Sequence, residues 1–520
     1  MGHLHHPKTS FDGGDLDCGS GLLLLIRQHI DPLAPGELLE VRSSEASVTE
    51  DLPAWCRMTG NELVSLAQEG NVASFLVCKG PFKGVAPSSP AVPPPHDRRV
   101  SERIEAWRPP VIESVIEPPP PPVATAEAAP VRPVKVPALP VLATMGIGSW
   151  PRPKWMLAAL HDHLERRMSD ADFDEAASDA VRLSVQAQLG AGVDVVTDGE
   201  QRRDSYASFV GGRLAGCQLV PITDLLPYVD DPDEFRRELD ALDVPAELVR
   251  HPAVFGKIKR TRPLAVHELK FAQSIAAGAP VKVALPGPYL LTRTMWLECV
   301  SERAYQTREE LAADVVRALW AEIAELLAAG AALVQLDEPV LTEVVFGAPR
   351  AQRSFMCGAL GSRGTTEHEL GFAAELLEAV TKGLPRDRLG LHVCRGNWTP
   401  DQRVALAGDY RPLLPLLSRA PVGTLLLELA TPRAGELDVL ASLPDDKRVA
   451  VGAVDQKSPR VETVEEVVER VERAIRLFGK QRVLLAPDCG FATFADNPIA
   501  PAAIAAGKLR ALAQAAQRLR

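Results

Sequence analysis

The strongest constraint on the fold is an alternation of short β-rich runs with helical segments through residues 140–520. Amphipathic segments such as TREELAADVVRALWAEIAELLAAG separate the runs, and strands that alternate with helices form parallel sheets through right-handed crossovers. Eight such units predict a (β/α)8 TIM barrel, with a doubly wound open sheet as the alternative. A long insertion around residues 205–275 follows the second run. The runs are VLATMGIGS, VDVVTDGE, VKVALPGP, ALVQLDEP, LGLHVCRG, GTLLLELA, RVAVGAVDQ and RVLLAPDCG.

Residues 1–80 have the pattern of a separate, small α/β sandwich domain. SGLLLLIRQHI predicts a helix, GELLEVRSS a strand, DLPAWCRMTGNELVSLAQEG a second helix and VASFLVCKG a closing strand. Residues 81–139 contain stretches such as EPPPPPVATAEAAPVRPVKVPALP. Proline removes backbone donors and stiffens the chain, so this segment is predicted to be a linker.

Charge and hydropathy exclude two classes of function. The net charge of −11, with no stripe of basic and aromatic residues, argues against a nucleic-acid partner. No apolar run approaches the roughly 20 residues that cross a membrane, and the N-terminus lacks the pattern of a signal peptide. We therefore expect a cytoplasmic protein whose eight cysteines are reduced.

Polar side chains end the β-rich runs rather than begin them. Barrel enzymes build their active sites at the C-terminal ends of their strands. Any one of these residues could cap a helix, but their recurrence at seven of the eight runs favours a shared site. They are Ser149, Asp198, Glu200, Asp337, Glu338, His392, Cys394, Glu428, Asp455, Lys457, Asp488 and Cys489.

Four of these side chains suggest a metal site. His392 and Cys394 lie two apart and so share a strand face, and Glu428 and Cys489 end the sixth and eighth runs. Sulfur, nitrogen and oxygen ligands of this kind suit Zn²⁺, which can bind and activate a substrate thiol. Two other interpretations stay open: the cysteines are buried apolar residues while Glu428 pairs with an arginine, or His392 and Cys394 form a catalytic pair.

The barrel segment resembles the catalytic barrel of cobalamin-independent methionine synthase. The resemblance implies zinc ligands at His392, Cys394, Glu428 and Cys489 and methyl transfer to the thiol of homocysteine, which gives methionine. It also implies homocysteine contacts at Ile147, Ser149, Glu200 and Asp337. The motifs that carry it, in the family's order, are TMGIGSWPRP, VVTDGEQRRDSY, LPGPYLL, VQLDEPVL, LHVCRGNW, LLLELATPRAG, AVDQKSPRVET and APDCGFATF.

Departures from the family pattern leave the methyl donor open. The sequence predicts one barrel where the two-barrel enzymes have a second that helps to hold a polyglutamylated folate. Lys457, in DQKSPR, replaces the histidine thought to protonate the leaving folate, and Trp296 is out of register with the family's tryptophan. Lys457 could serve as an acid if burial lowers its pKa. The donor is therefore expected to be methyltetrahydrofolate or a methyl-corrinoid protein.

The N-terminal segment resembles the TusA/SirA sulfur-carrier family. Cys18 occupies the position of the family's reactive cysteine at a helix start, although CGSG replaces the Cys-Pro-x-Pro motif. A helix N-terminus lowers a thiol pKa, so Cys18 is predicted either to carry sulfur from a sulfur-relay partner or to be inert in a docking module. For the whole chain, two further functions stay open: alkyl transfer to another thiol such as coenzyme M, and a sulfur-relay scaffold without methyl transfer.

Overall fold

The computed structural model covers two folded regions of the chain. Neither Cys18 nor most of the proline-rich segment 81–139 falls within the described residues. The structure describes residues 3–16, 21–82, 134, 136, 139–165, 167–221, 223, 250–296, 301, 304–347, 364–397, 405–495 and 498–520.

The N-terminal region is a small α/β domain, as the sequence predicts, but its sheet has four strands where two were predicted. The order is β1-β2-β4-β3; β1 runs parallel to β2, and the other pairs are antiparallel. A buried apolar cluster that includes Ile26, Trp55 and Phe75 joins the helices to the sheet. The elements are β1 (Thr9–Asp12), α1 (Leu23–Ile30), β2 (Leu38–Ser43), α2 (Val48–Met58), β3 (Glu62–Glu69) and β4 (Val72–Cys78).

The prediction of a second helix in this region is wrong for the second half of the predicted segment. α2 ends at Met58, and the residues from Glu62 form β3. Gly60 adopts a left-handed conformation (φ 70°), which ends the helix and which glycine adopts without a steric cost. The alternation of polar and apolar residues in ELVSLAQE after that turn is typical of a strand.

The C-terminal region is a closed parallel barrel, which confirms the predicted fold and excludes the open sheet. Six strands pair in chain order from β7 to β12. Single bridges add the first two runs: Thr144 pairs with Leu485, Met145 with Val195, and Val196 with Val281, all in parallel. The six strands are β7 (Lys282–Pro286), β8 (Leu333–Asp337), β9 (Leu389–Val393), β10 (Thr424–Leu427), β11 (Arg448–Val454) and β12 (Val483–Pro487).

Helices surround the barrel and bury a large apolar layer against its outer face. A second, smaller cluster, which includes Met145, Val195, Leu333 and Leu426, fills the barrel interior. Side chains therefore alternate between the two layers, as the two-residue repeat of a strand requires. The helices are α3 (Lys154–Leu164), α4 (Asp170–Ala191), α5 (Val266–Ile275), α6 (Pro288–Met295), α7 (Arg308–Ala328), α8 (Val340–Phe346), α9 (Thr366–Thr381), α10 (Leu414–Arg419), α11 (Val464–Phe478) and α12 (Ala502–Leu519).

The insertion after the second run contains an antiparallel hairpin of β5 (Leu214–Pro221) and β6 (Arg250–Arg260). This hairpin contacts the N-terminal region. The Gln218 amide donates to the Arg27 carbonyl at 3.2 Å and to the Asp31 carboxylate at 3.1 Å. The C-terminal end of α1 is thus the part of that helix that meets the hairpin.

Within the described residues, no helix combines the length and apolarity that a membrane span requires.

Candidate active site

Three ligand-type side chains meet at the C-terminal ends of β9 and β12. His392, Cys394 and Cys489 are buried, and one potential ligand atom of each lies within 4.8 Å of the others. The two sulfurs are 3.8 Å apart. The strand ends therefore bring together residues that are about a hundred positions apart in the chain, as the barrel geometry predicts.

The geometry of this group fits Zn²⁺. A tetrahedral zinc with Zn–S bonds near 2.3 Å places two sulfur ligands about 3.8 Å apart, which is the spacing of the two cysteines. The His392 Nε2 atom is buried and has no hydrogen-bond partner among the described residues. Its Nδ1 lies 3.3 Å from the Leu426 carbonyl, a contact of the kind that orients metal-binding imidazoles.

The two thiols differ in their acidity. The Cys489 thiol donates to the Cys394 sulfur, and this contact, with help from His392, holds the pKa of Cys394 well below its usual range. A sulfur that is readily ionised is suited to bind a metal cation, and a metal that binds the pair would also displace the proton of the second thiol. Two sulfurs at this spacing beside a buried imidazole form a group that can hold a cation.

Glu428 lies beside this group but its carboxylate is held by other partners. Arg433 Nε pairs with its Oε1 at 2.9 Å, while the Arg395 backbone N–H (2.8 Å) and the Asn397 amide (2.5 Å) donate to its Oε2. The pairing with an arginine is one of the interpretations that the sequence left open. A role for Glu428 as a fourth ligand stays a prediction, since its oxygens are not part of the group of three.

One cavity joins the three ligand-type residues to the predicted substrate contacts. Ile147, Ser149, Glu200 and Asp337 all line it, as do His392, Cys394 and Cys489. The roles of the first four residues as homocysteine contacts stay a prediction. The seven residues come from the ends of five different strands, which converge on this one cavity. Glu428 and Lys457 do not line this cavity.

Glu200 reaches the cavity through an unusual backbone conformation. Its φ is 56°, a left-handed value that is uncommon for a residue with a side chain, and its N–H donates to Asp198 Oδ1 at 3.0 Å. A Cβ atom on Gly148 would lie 2.1 Å from Glu200 Oε1, so a side chain at this position would displace the Glu200 carboxylate. Strained residues of this kind cluster at functional sites.

The cavity carboxylates are buried and their protonation is shifted. Burial raises the pKa of Glu200 to about 7, although the nearby Arg203 guanidinium opposes the shift. Burial also raises the pKa of Asp337 above its usual value. Two carboxylates that face one small space favour a cationic ligand group.

Lys457 lies outside the cavity but within electrostatic reach of Glu428 and Cys489. Burial and the charge of Arg433 lower the pKa of Lys457 to about 8. A lysine whose pKa is lowered by burial in this way is suited to donate a proton. Cys18 lies outside the described residues.

Sequence reasoning missed three polar side chains that line the cavity, those of Tyr206, Asn397 and Thr493. Each lies within or beside a motif that was already singled out, namely DSY, CRGN and APDCGFATF. Thr493 donates to the Asn397 backbone carbonyl at 3.3 Å, which ties the loops after β9 and β12 together. Their positions on loops, rather than on strand ends, hid them from a pattern based on strands.

A family model described as "Cobalamin-independent synthase, Catalytic domain" matches residues 142–359 and 407–517. The chain belongs to this family. The cobalamin-independent synthases are methyltransferases, and so is this chain. The matched residues omit 360–406, so His392 and Cys394 are placed at the site by the structure rather than by this match.

Relatives of this synthase family share most of their length with the chain. The methionine synthase of Saccharolobus solfataricus is 29% identical over 355 residues, which are 68% of this chain and 89% of that protein. The methionine synthase of Sulfurisphaera tokodaii is 28% identical over 352 residues, with coverages of 68% and 86%. A B12-independent methionine synthase from Shewanella, solved with selenomethionine, has a TM-score of 0.55 and 24% identity, and covers 73% of this chain and 98% of that one.

A second family model, described as "Sulfurtransferase TusA", matches residues 21–79. This match confirms the resemblance of the N-terminal region to the sulfur-carrier family. The chain therefore joins a TusA domain to a cobalamin-independent synthase barrel.

Proposed function

We propose that the barrel transfers a methyl group to the thiol of homocysteine and that His392, Cys394 and Cys489 hold a zinc ion for this reaction. The observation that carries the proposal is the meeting of these three side chains with Glu200 and Asp337 in one cavity. Zn²⁺ bound there would lower the pKa of the substrate thiol and keep it nucleophilic.

The charges of the cavity favour an amino acid as the thiol substrate. Glu200 and Asp337 offer acceptors to an α-ammonium group, and the backbone and hydroxyl of Ser149 offer donors to an α-carboxylate. Coenzyme M has a sulfonate and no amino group, so the same two carboxylates would repel it. Alkyl transfer to coenzyme M is therefore the less favoured alternative.

The transfer forms a carbon–sulfur bond and breaks the bond between the methyl carbon and its donor. The homocysteine sulfur supplies the electron pair and loses its proton, and the donor atom keeps the electrons of the broken bond. A folate nitrogen must also gain a proton, for which Lys457 is the proposed source, whereas a corrinoid cobalt needs none. The donor then decides whether Lys457 is required.

The test uses the purified full chain with its metal content measured. Homocysteine is supplied with methyltetrahydrofolate or with methylcobalamin, and methionine is quantified. Methionine from one donor identifies that donor. Bound zinc with no methionine from either donor would contradict the proposal and favour the coenzyme M or scaffold alternatives. Asp337→Asn is the matched variant, which should retain zinc and lose most of the activity.

We also propose that the N-terminal domain carries sulfur on Cys18. The other cysteines of this domain within the described residues, Cys56 and Cys78, are buried, and burial raises the pKa of Cys56 to about 12. Neither is therefore suited to attack a sulfur donor. A carrier fused to the barrel would bring a sulfur-relay partner close to a thiol methyltransferase.

Mass spectrometry of the full chain after incubation with a cysteine desulfurase tests this role. A mass increase of one sulfur atom on the peptide that contains Cys18 is expected, and Cys18→Ser should abolish it while Cys56→Ser should not. The absence of sulfur on the wild-type peptide would favour an inert docking module.

A further inference from the structure

One charged side chain inside the barrel has no place in the mechanism described above. Lys282, at the start of β7, is 1% exposed and does not line the cavity. It lies in the run VKVALPGP, where every neighbour in the strand is apolar. A lysine is rarely buried unless its ammonium group has specific partners.

The partners of Lys282 are groups that belong to the proposed substrate site. Its Nζ donates to the Ile147 carbonyl at 2.6 Å and to the side-chain oxygen of Gln335 at 2.5 Å. The Gln335 amide nitrogen then donates to Asp337 Oδ1 at 2.6 Å. Gln335 and Asp337 lie two apart on β8 and so point to the same interior face.

The lysine determines the direction of the two hydrogen bonds that link Lys282, Gln335 and Asp337. An ammonium group donates and cannot accept, so it selects the oxygen of the Gln335 amide and turns the nitrogen toward Asp337. The carboxylate then always receives a hydrogen bond, which favours its ionised form. Without the lysine, the amide could turn over and present its oxygen to Asp337, which would disfavour the charge.

We propose that Lys282 is a positioning residue for the amino group of the substrate. Lys282 fixes the Ile147 carbonyl directly and the Asp337 carboxylate through Gln335. Two acceptors on different strands would then face the α-ammonium group of the substrate. This inference rests on the proposed function, because it takes homocysteine as the ligand of the cavity.

The test compares Lys282→Met and Gln335→Met with the wild type and with Lys447→Met. Lys447 is the matched control, since it is also buried and, among the described residues, its ammonium donates to the Ala420 and Val422 carbonyls. Each protein is assayed with homocysteine and with 4-mercaptobutanoate, which keeps the thiol and the carboxylate but lacks the amino group. Zinc content and thermal unfolding are measured in parallel.

Lys282→Met and Gln335→Met should each raise KM for homocysteine by about tenfold or more, because a hydrogen bond to a charged group is lost. KM for the amino-free analogue should stay within about twofold of the wild-type value, as should zinc content. A merely structural role would change both substrates alike. Gln335→Met leaves the Lys282 ammonium group in place. It therefore also tests the hydrogen-bonded link from Lys282 through Gln335 to Asp337 if Lys282→Met fails to fold.

Three results would overturn the inference. The first is an equal change in KM for the two thiols, and the second is an unchanged KM for homocysteine in both Lys282→Met and Gln335→Met. The third is a rise in KM for homocysteine, but not for 4-mercaptobutanoate, in Lys447→Met. A wild-type protein that does not use homocysteine at all would instead contradict the proposed function, and with it this inference. The two failures are thus distinguished by the wild-type assay.

Discussion

At the scale of the residue, buried charge decides what the cavity accepts. Glu200 and Asp337 are cavity carboxylates. Arg203 lies 3.8 Å from Glu200 and also pairs with Glu268 at 2.6 Å, and Lys282 is linked to Asp337 through Gln335. Such groups are costly to bury unless they are paired, so their arrangement is more informative than that of the apolar core.

The affinity for homocysteine should depend on pH through Glu200. Because burial raises the pKa of Glu200 to about 7, its carboxylate loses its charge as the pH falls through that value. KM for homocysteine is expected to rise about tenfold from pH 8 to pH 6, as a single group of that pKa requires. Steady-state kinetics across this range measure the effect. Glu200→Gln should show a high KM without this dependence, and a wild-type KM that does not change with pH would refute the assignment.

Metal content should depend on Cys489. Cys489→Ser removes one of three ligand-type groups that lie within 4.8 Å of one another, so zinc bound per chain should fall to a small fraction of the wild-type value. Cys217→Ser, on the β5–β6 hairpin, is the control and should bind zinc normally. Full zinc occupancy in Cys489→Ser would contradict the ligand set.

The residue types of the site were predictable from sequence, but their pairing was not. The positions of His392, Cys394 and Cys489 follow from strand ends, whose register is set by the barrel. The pairing of Glu428 with Arg433 depends on the path of the loop after β10, which no local pattern specifies. Lys282 did carry a signal, because a lysine between valines in a buried strand needs a partner.

At the scale of the element, periodicity identified the barrel strands better than it identified the N-terminal ones. Each barrel run is a short apolar block followed by polar residues, and burial on both faces makes such strands distinctive. The turn at Gly60 was missed because Glu, Leu, Ala and Gln after it are also good helix formers, although the alternation of polar and apolar residues in ELVSLAQE is typical of a strand. Strand β1 was also missed, since it is only four residues long.

The capping box of α11 should contribute measurable stability. Thr463 accepts a hydrogen bond from the Glu466 N–H, and the Glu466 side chain accepts one from the Thr463 N–H. Thr463→Ala should therefore lower the free energy of unfolding by about 1 kcal/mol, measured by urea denaturation. Thr463→Ser, which keeps the hydroxyl, should lie close to the wild type. Equal stability of the alanine and wild-type proteins would show that the cap does not stabilise the helix.

At the scale of the whole molecule, the described residues show the two folded regions in contact at the β5–β6 hairpin, away from the cavity. Gln218 contacts the C-terminal end of α1, whereas all the residues that line the cavity belong to the barrel. The sequence predicted both units but could not predict this contact, because it joins residues about 190 positions apart. Within the described residues, the TusA domain thus contributes no side chain to the cavity.

Removal of residues 1–82 should leave methyl transfer unchanged. KM and kcat for homocysteine are expected to stay within about twofold of the full-length values, because no lining residue is lost. Steady-state kinetics of the truncated chain measure this, with circular dichroism to show that the barrel is folded. A large loss of kcat in a folded truncated protein would mean that the TusA domain takes part in the reaction.

The barrel wall has a seam at its first two strands, where single bridges link Met145 to Val195 and Val196 to Val281. Ile147, Ser149 and Glu200 end these strands, and Asp337 ends β8 beyond the seam, so a homocysteine that contacts all four would span it. The bound substrate would then hold the weakly paired first strands to the rest of the barrel, in addition to being a reactant. Its binding energy would add to the stability of the closed barrel. Slower amide hydrogen exchange at Val195 and Val196 with homocysteine present would reveal this second role.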